Sequence, residues 1–534
     1  MKQSSEFIHL LGLSVTLCWS IQSVTFAETD PFNIYRREAI DLGSRPHLFI
    51  DDAGISEMEG VQFVVNPPYV FQTAIDNDKP WDNIAEYTSI LDDGSGVYRL
   101  YYLNTHRPEG IDNIALATSI DGIHWEKPSL GVVEYEGSTD NNIVIGNLIP
   151  HPGGTVLYDP RDPKPEWRYK YLTAASVDDL PDTKTTEGLV IHTSPDGIRF
   201  TKQETQIAPF LHDSQAVLLW DNNIEKYVAY LRASDEPLFK NGGRKVVRLE
   251  THNIMESWTY RPNPNPHYGG DHELPYLSNE LPTALRTDRF DPIGTDLYNN
   301  QVHVYERSPN VYLPFPTCYY HYRGERAYLS WSGEGGNEGT GEVQLAVSRD
   351  GINFKRYRRP AYIKHGWHAN HYTGWPWVYH GMIVRDNRVY QYVSFRTSGH
   401  GAIDVVPDAV GETYRGVMRV EQKIDRFVAA EFDYTGGRIV TDPIIFEGDC
   451  LVLNIDTGAL GEARVALLKA DGTPIPGFTT ADCDIINADW IKRTVSWRQG
   501  DTNLSAWSGQ PVRLEFECRG GRIFAFRFAE ISTE

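Results

Sequence analysis

One short phrase recurs along an otherwise non-repetitive chain, and it restricts the fold more than any other feature. Its copies read TSIDGIHWEKP at 118–128, TSPDGIRF at 193–200 and SRDGINF at 348–354, with a fainter echo, THNIMESWTY, at 251–260. Asp-Gly favours a tight turn between strands, and the aromatic residue that follows would begin the next strand. We therefore interpret the phrase as a structural turn, capped by its Asp and packed between sheets by its aromatic residue, rather than as a ligand site made in copies.

The spacing of the copies predicts a β-propeller. They are separated by 75, 58 and 96 residues, measured between their aromatic residues Trp125, Phe200, Trp258 and Phe354. Short runs such as YRLYYLN, AVLLWD and KYVAYLR lie between turn-forming residues, which is typical of antiparallel strands. Three or four strands in each interval indicate propeller blades. The strand groups number five and lie near 85–126, 152–201, 213–260, 295–356 and 370–428.

The chain changes in character after about residue 428. Its later strands, among them ARVALLKADG, PVRLEFECRG and RIFAFRFAE, are longer, alternate cleanly and lack the repeated phrase. This pattern is typical of a β-sandwich. The sequence therefore predicts an all-β chain, with a five-bladed β-propeller over 45–428 and a C-terminal β-sandwich over 429–534.

The first 27 residues have the composition of a secretory signal peptide. Lys2 precedes the apolar run LLGLSVTLCW, and Thr25 and Ala27 suit cleavage by signal peptidase. The apolar run is too short to span a bilayer, and a retained anchor extended through Ile21 is the alternative. We expect residues 1–27 to be removed and the mature protein to be secreted or periplasmic, with no membrane attachment.

Net charge restricts the partners of the chain, and cysteine content restricts its disulfide bonding. A net charge of −22 opposes binding to nucleic acid and to anionic lipid, whereas neutral substrates and cations stay open. The four cysteines after the signal segment are too few for a disulfide framework, although one bridge among the last three would be compatible with the sequence. They are Cys318, Cys450, Cys483 and Cys518. The chain carries no signal for an oligomeric state.

Polar residues near the starts of the inner strands form the candidate site, because these positions face one another across the funnel of a propeller. They are Glu86, Asp159, Asp213, Asp296 and His371. Glycoside hydrolysis needs two carboxylates flanking the scissile bond, and a third carboxylate can tune the pKa of the acid. We predict Asp213 and Asp296 as the catalytic pair and Glu86 as the third member. Asp159 lies in a Pro-rich stretch that favours a turn.

Aromatic and imidazole side chains are predicted to contact the sugar. Tryptophan faces stack on sugar rings, and Trp81 and Trp375 lie in Gly/Pro-rich loops where stacking competes with a packing role between blades. Imidazoles near the funnel are expected to hydrogen-bond a polar ligand. The predicted substrate-binding residues are His212, Tyr298, His371, Trp375, Asp159, Trp81 and His400.

The sequence predicts neither a metal site nor a cofactor. His365, His368 and His371 form HxxHxxH, but side chains three apart on a strand point to opposite faces, and on a helix the third histidine rotates away from the first two. Motifs for a serine nucleophile elbow, a phosphate-binding loop and a dinucleotide-binding turn are absent from the chain.

The chain resembles the arabinanase, levansucrase and invertase superfamily of five-bladed propeller glycosidases, and within it a set of secreted proteins. The resemblance runs from about residue 45 to the C-terminus and is carried by ATSIDGIHWEKPSLG, DNNIV, HDSQAVLLWD, GTDLYNN, QLAVSRDGINF and DRFVAAEFDYTGGRIVTDPIIF. It implies a catalytic base, a pKa-tuning Asp and an acid Glu at inner-strand starts. The NDPNG block and Glu-Cys pair of the sucrose-cleaving members are absent, and Arg161-Asp162-Pro163 lies in a Pro-rich loop, so fructan chemistry does not transfer.

The sequence thus predicts a secreted glycoside hydrolase acting on a poly- or oligosaccharide. A carbohydrate-binding propeller without catalysis is the main alternative, and it would lack two carboxylates within about 5–10 Å in the funnel. A sialidase-like six-bladed enzyme would need an arginine cluster for the substrate carboxylate, and no such cluster stands at the predicted inner-strand starts. The sugar, the linkage and the stereochemical outcome are open at this level.

Overall fold

Strands dominate the described part of the chain. The structure, a computed structural model, describes residues 39–105, 112–148, 153–176, 187–205, 207–208, 214–234, 243–258, 281–292, 295–321, 339–368, 371–400 and 415–531. Within these ranges the helices are two 3₁₀ turns, Pro165–Trp167 and Ser505–Trp507. No helix in these ranges has the length and apolar composition needed to cross a membrane. The prediction of an all-β chain is confirmed.

The described chain opens with five strands that serve two different assemblies. They are β1 (Ile40–Gly43), β2 (His47–Leu48), β3 (Ile55–Glu59), β4 (Val61–Val65) and β5 (Val70–Asp76). The first four join sheets formed by the C-terminal part of the chain, and β5 joins the last sheet of the propeller.

Three four-stranded antiparallel sheets of consecutive strands follow. The first contains β6 (Ile84–Asp92), β7 (Tyr98–Asn104), β8 (Asp112–Ser119) and β9 (Ile143–Leu148). The second contains β10 (Thr155–Tyr158), β11 (Tyr169–Ser176), β12 (Glu187–Ser194) and β13 (Thr201–Lys202). The third contains β14 (Val217–Asp221), β15 (Lys226–Ser234), β16 (Arg244–Thr251) and β17 (Thr283–Leu285).

Two further sheets follow in the described residues. The fourth pairs β18, β21 and β22, and β19 and β20 form a small hairpin. These strands are β18 (Thr295–Leu297), β19 (His303–Val304), β20 (Tyr312–Leu313), β21 (Thr317–His321) and β22 (Gly339–Val343). A hairpin of β23 (Gly366–His368) and β24 (His371–Thr373) then leads to β25 (Trp377–Val378), β26 (Ile383–Arg385), β27 (Arg388–Arg396) and β28 (Arg415–Lys423). In the fifth sheet β28 pairs with β5, so an N-terminal strand completes this sheet.

The three copies of the phrase that contain Asp-Gly form the same turn. In the first copy the Ser119 hydroxyl accepts from the backbone N–H of Gly122 at 2.9 Å, and the Asp121 carboxylate accepts from two backbone N–H groups at 2.8 and 2.9 Å. The copies that begin at Ser194 and Ser348 repeat these bonds. The glycines have φ of 69–72°, a left-handed conformation in which glycine carries no Cβ penalty. The interpretation of the phrase as a structural turn is confirmed.

Each turn is also fixed to the preceding sheet by a tyrosine. A buried tyrosine hydroxyl donates to the glycine carbonyl of the turn at 2.6–2.9 Å, in the pairs Tyr392–Gly122, Tyr101–Gly197 and Tyr230–Gly351. The aromatic residue of the turn packs edge-to-face on the same tyrosine, in the pairs Tyr392–Trp125, Tyr101–Phe200 and Tyr230–Phe354. We call this arrangement the tyrosine clamp. It joins the fifth sheet to the first, the first to the second and the third to the fourth.

The hydrophobic core lies between neighbouring sheets, as a propeller requires. Separate clusters of buried side chains fill the spaces between the second and third sheets and between the third and fourth. The Gln215 amide donates to the carbonyls of Thr88 and Gly154, both at 2.9 Å, and accepts from Gln301. Thr88 belongs to the first sheet, Gly154 and Gln215 precede the second and third, and Gln301 lies between β18 and β19, so these bonds connect four sheets.

The C-terminal strands form two sheets that pack face to face. They are β29 (Val428–Phe432), β30 (Gly437–Thr441), β31 (Ile444–Phe446), β32 (Cys450–Asp456), β33 (Glu462–Lys469), β34 (Asp489–Thr494), β35 (Val512–Arg519) and β36 (Gly521–Ala529). One sheet has the order β1-β31-β35-β30-β3 and the other β34-β32-β36-β29-β4, with β33 on β35 and β2 on β36. The rings of Phe446 and Phe528, one from each sheet, stack at 3.7 Å.

The strand pairing differs in one respect from the predicted domain limits. Residues 45–65 were assigned to the propeller, yet β4 pairs with β29 and β2 with β36 in the sandwich sheets. The sheets therefore combine both ends of the chain.

The four cysteines in the described residues, Cys318, Cys450, Cys483 and Cys518, are free and buried. Burial raises the pKa of the Cys318 thiol to about 12.

Candidate active site at the start of the fourth sheet

Asp296 lies at the start of β18, the inner strand of the fourth sheet, and its carboxylate is fully hydrogen-bonded. Oδ1 accepts from the backbone N–H groups of Gly243 and Arg244 at 2.6 and 3.0 Å. Oδ2 accepts from the Arg244 guanidinium and from Nε2 of His321 at 2.8 Å. A carboxylate has about four acceptor positions, so all of them are used here. Asp296 therefore orients its neighbours.

The charge of Asp296 is permanent at ordinary pH. Burial raises the pKa of its carboxyl group, but the Arg244 guanidinium and the hydrogen bond from His321 outweigh burial, so the pKa lies well below its usual range. An acid that must donate a proton near neutral pH needs the opposite shift. Asp296 is therefore suited to be the ionised member of a carboxylate set and unsuited to be its general acid.

His321 ends β21 and is held by Asp296 in a single orientation. Because the carboxylate has no proton, Nε2 of His321 must carry the hydrogen of the 2.8 Å bond. The imidazole lies against the Tyr319 ring, with centroids 3.8 Å apart. Its side chain is half-buried, which leaves it within reach of a ligand at this end of the sheet. The carboxylate–imidazole pair has the arrangement in which an acid fixes the tautomer of a base.

His400 connects two tyrosines beside this pair. The Tyr298 hydroxyl is 3.2 Å from Nε2 of His400, and the Tyr319 hydroxyl is 3.3 Å from Nδ1. A neutral imidazole has one donor and one acceptor nitrogen, so one hydroxyl donates to it and the other accepts from it. Arg396 holds the segment that carries His400 by donating to the carbonyl of Gly399 at 3.0 Å.

Trp375 packs behind this cluster and cannot offer a face to a sugar. Its ring lies 5.4 Å from Tyr298, 5.0 Å from Tyr319 and 5.1 Å from His400. Only 1% of its surface is exposed. The prediction of a stacking role for Trp375 is wrong, because the Gly/Pro-rich loop that carries it passes under the tyrosines. Trp375 instead packs against Tyr298, Tyr319 and His400 and helps to fix their positions.

Two arginines surround Tyr298, and sequence analysis missed both. The guanidinium carbons of Arg232 and Arg244 lie 5.0 and 5.2 Å from the centre of the Tyr298 ring, within the range of a cation–π contact. Arg232 belongs to β15 and Arg244 begins β16, so neither stands at an inner-strand start. His321, at the end of β21, was missed for the same reason. These three residues could have been found only by knowing which second and third strands pair with the inner strand of each sheet.

The structure brings four predicted residues together and leaves others outside its description. Asp296, Tyr298, Trp375 and His400 form one cluster with His321 and Tyr319, as the contacts above show. Asp213 and His212 lie outside the described residues, and so does the side chain of Glu86, although its backbone is part of β6. These assignments stay predictions. Ser214, the residue after Asp213, donates its hydroxyl to the carbonyl of Tyr298 at 3.1 Å.

Asp159 has a structural role at the other end of its sheet. It follows β10, where its carboxylate accepts from Nε of Arg161 at 2.8 Å and from the Tyr227 hydroxyl of the third sheet, with Lys170 at 3.7 Å. Burial raises the pKa of Asp159, and the hydrogen bond from Tyr227 and the charge of Lys170 lower it further than burial raises it. The carboxylate joins the second sheet to the third, which agrees with the turn favoured for this stretch.

Trp81 and His371 lie in other surroundings. The Trp81 indole donates to Asn142 at 2.7 Å and packs edge-to-face on Tyr135, beside the first sheet. Nε2 of His371 lies 3.5 Å from the Thr73 hydroxyl of β5. Their substrate-binding roles stay predictions. Across the ranges that the structure describes, no group of three potential ligand side chains is arranged to hold a metal ion, and this includes the HxxHxxH histidines.

Comparison with solved structures returns enzymes at low sequence identity. A GH32 β-fructofuranosidase of Bombyx mori is 11% identical, with 88% of this chain and 96% of that chain covered and a TM-score of 0.39. A thermostable family-43 glycoside hydrolase is 10% identical, with 68% and 92% covered and a TM-score of 0.37. An N-acetylgalactosamine deacetylase from F. plautii, solved with blood group B trisaccharide, is 10% identical, with 68% and 96% covered and a TM-score of 0.40.

No protein-family model matches the chain, and no curated protein matches it. Matches with TM-scores near 0.4 do not identify an activity. The fold is described here from the strand pairing of the molecule itself.

Proposed function

We propose that this protein is an exported glycoside hydrolase that cleaves a poly- or oligosaccharide at the start of the fourth sheet. The observation that carries the proposal is the buried, ionised Asp296 beside two half-buried imidazoles and two tyrosine hydroxyls at one inner-strand start. A glycosidase needs such a fixed anion within a polar, partly dry site. Export is proposed from the signal-like residues 1–27.

The proposal divides the carboxylates by role. Asp296 has no acceptor position left, so proton donation and the activation of water, or direct attack, fall to Asp213 and Glu86. Support for Asp213 comes from its chain neighbour Ser214, which is bonded to the carbonyl of Tyr298. The charge of Asp296 is offset by its ion pair with Arg244, so the role left to Asp296 is to orient Arg244 and His321.

The remaining polar groups are suited to bind a neutral sugar. His321 and His400 are the half-buried members of the cluster, so their imidazoles are the groups that sugar hydroxyls would meet, while the buried Tyr298 and Tyr319 hold His400 in place. Each can donate and accept, as a sugar hydroxyl does. The arginines around Tyr298 are already engaged, Arg244 with Asp296, and therefore serve mainly to hold the site.

Reducing-sugar release from a panel of arabinan, galactan, xylan, laminarin and alginate tests the proposal. We expect Asp213→Asn and Glu86→Gln each to lower the rate on the active substrate at least about 100-fold. Asp296→Asn breaks a buried ion pair, which typically costs about 3–5 kcal/mol of stability, so its folding must be checked. His321→Gln tests the same cluster without that loss, and we expect it to lower kcat more than it raises KM.

The matched control is Asp221→Asn. Asp221 is a buried carboxylate at the far end of β14, where it accepts from the Tyr312 hydroxyl at 2.6 Å. We expect this variant to be less stable and yet to keep its rate below its unfolding temperature. Equal rate losses in the control and in the site variants would contradict the assignment. Binding of a polysaccharide without any sugar release would instead establish the non-catalytic carbohydrate-binding propeller.

A further inference from the structure

An exposed tryptophan and a half-buried tyrosine lie side by side on the hairpin that connects the fourth and fifth sheets. The connection leaves Ile363, which bridges to Val343 of β22, and passes through β23 and β24 to Gly374. Trp367 is 62% exposed on this hairpin, the largest exposed fraction of any tryptophan in the described residues. The indole therefore contributes little to the packing of the hairpin, and most of its surface is available to contact a ligand.

The pair is held rigidly. Trp367 and Tyr372 are directly opposite each other across the two strands, and their rings meet edge-to-face at 5.5 Å and 81°. The Tyr372 hydroxyl lies 3.2 Å from the His365 ring. On the other face of the hairpin, His368 packs against Phe71 at 4.5 Å. One face is therefore anchored to the fifth sheet, and the other presents an indole whose orientation is already set.

The hairpin lies close to the candidate active site along the chain. It runs directly through Gly374, whose carbonyl accepts from the Thr340 hydroxyl at 2.5 Å, into Trp375. Trp375 contacts Tyr298, Tyr319 and His400, as described above. Trp375 lies eight positions after Trp367, so the chain between their Cα atoms can span at most about 28 Å. A glycan of several units bound at the site can therefore reach Trp367.

We propose that Trp367 and Tyr372 form a stacking platform for a sugar unit of a polymeric glycan, outside the reaction site. The flat indole matches the apolar face of a sugar ring, and the neighbouring phenol and imidazole match its hydroxyls. Nucleic acid bases also stack on such surfaces, but a chain with a net charge of −22 repels their phosphates. The platform rests on the proposed function only for the identity of the glycan.

Affinity electrophoresis in gels that contain each polysaccharide of the panel tests the platform without any need for catalysis. We expect Trp367→Ala to bind the retarding polysaccharide at least tenfold more weakly than the wild type, and Trp367→Phe to restore much of the loss. The matched control is Trp490→Ala. Trp490 is 41% exposed on β34 of the sandwich, and we expect its removal to leave retardation unchanged. Equal thermal midpoints would show that the variants are folded.

The outcomes separate the platform from the proposed hydrolase. Retardation that depends on Trp367, in a protein that releases no sugar, would support the platform and overturn the hydrolase. Sugar release with retardation that is equal in Trp367→Ala and wild type would support the hydrolase and overturn the platform. Absence of retardation by every polysaccharide, or binding of single-stranded DNA through Trp367, would also overturn the platform.

Discussion

Replacing the glycine of one repeated turn tests whether the tyrosine clamp holds the propeller together. Gly351 has a φ of 69°, and a Cβ there would lie 2.8 Å from the Tyr230 hydroxyl and 2.8 Å from the Tyr312 ring. Tyr312 cannot move away easily, because its hydroxyl donates to Asp221 at 2.6 Å within a fully buried environment. Gly131 has a φ of 67°, and nothing lies within 4 Å of the position that a Cβ would take there. The two glycines therefore differ in surroundings and match in backbone conformation.

The expected magnitudes follow from these surroundings. Alanine in the left-handed region costs about 1–2 kcal/mol, and both Gly131→Ala and Gly351→Ala carry that cost. Gly351→Ala adds crowding of about 1–3 kcal/mol and weakens the hydrogen bond from Tyr230, which contributes about 1 kcal/mol. We therefore expect Gly351→Ala to lower the free energy of unfolding by about 3–6 kcal/mol and Gly131→Ala by about 1–2 kcal/mol.

Equilibrium unfolding in urea, followed by tryptophan fluorescence at pH 7.5, measures this difference. A gap of about 2–4 kcal/mol between the variants would show that packing against Tyr230 and Tyr312 dominates the cost at Gly351. Equal losses in the two variants would refute the clamp, since only the shared backbone conformation would then matter. A change in the slope of the unfolding free energy against urea concentration would indicate that the sheets unfold separately.

Two further predictions concern stability. Tyr392→Phe leaves the Gly122 carbonyl without its 2.6 Å donor, and we expect a loss of about 1–2 kcal/mol in the same urea assay, which an unchanged midpoint would contradict. Burial lowers the pKa of His192 and of His380 to about 4, so the unfolded chain binds more protons than the folded protein between about pH 6.5 and pH 4. The free energy of unfolding should therefore fall as the pH falls through this window, by about 3 kcal/mol for each histidine. His192→Gln should make this decrease with pH less steep. A free energy of unfolding that stays level from about pH 7 to pH 4.5 would contradict the prediction.

The repeated turn was predictable because its bonds are local. Ser119, Asp121 and Gly122 bond to one another and to the next two residues, so the sequence carries the whole pattern. The tyrosine that completes the clamp comes from another sheet, as much as 270 residues away for Tyr392, and no local pattern identifies it. The same limit explains the N-terminal strands. Their partners in β29 and β36 lie more than 350 residues further along the chain.

The tryptophans show why composition misled the prediction of the site. Trp375 and Trp367 both lie in Gly-rich stretches with polar neighbours, and only the fold decides which one is covered. Trp375 comes directly after Gly374, whose carbonyl is hydrogen-bonded to the fourth sheet, and its side chain is buried. Trp367 lies instead on the exposed face of a hairpin. The alternation of Trp367 with His368 along a short strand was the one available signal, since opposite faces of a strand meet different surroundings.

The repeated turns and the candidate active site lie at opposite ends of the sheets, so the repeated phrase has a structural role and no part in the site. In the first sheet, Ile84 pairs with Asn104 at the end where the inner strand starts, while Ser119 pairs with Tyr98 at the other end. The repeated turns therefore lie opposite the end at which Asp296 begins its own sheet. Because the clamps stabilise one end, segments at the other end can carry residues chosen for chemistry. Arg244 and His321, from strands 52 and 25 residues away, meet Asp296 only because of that arrangement.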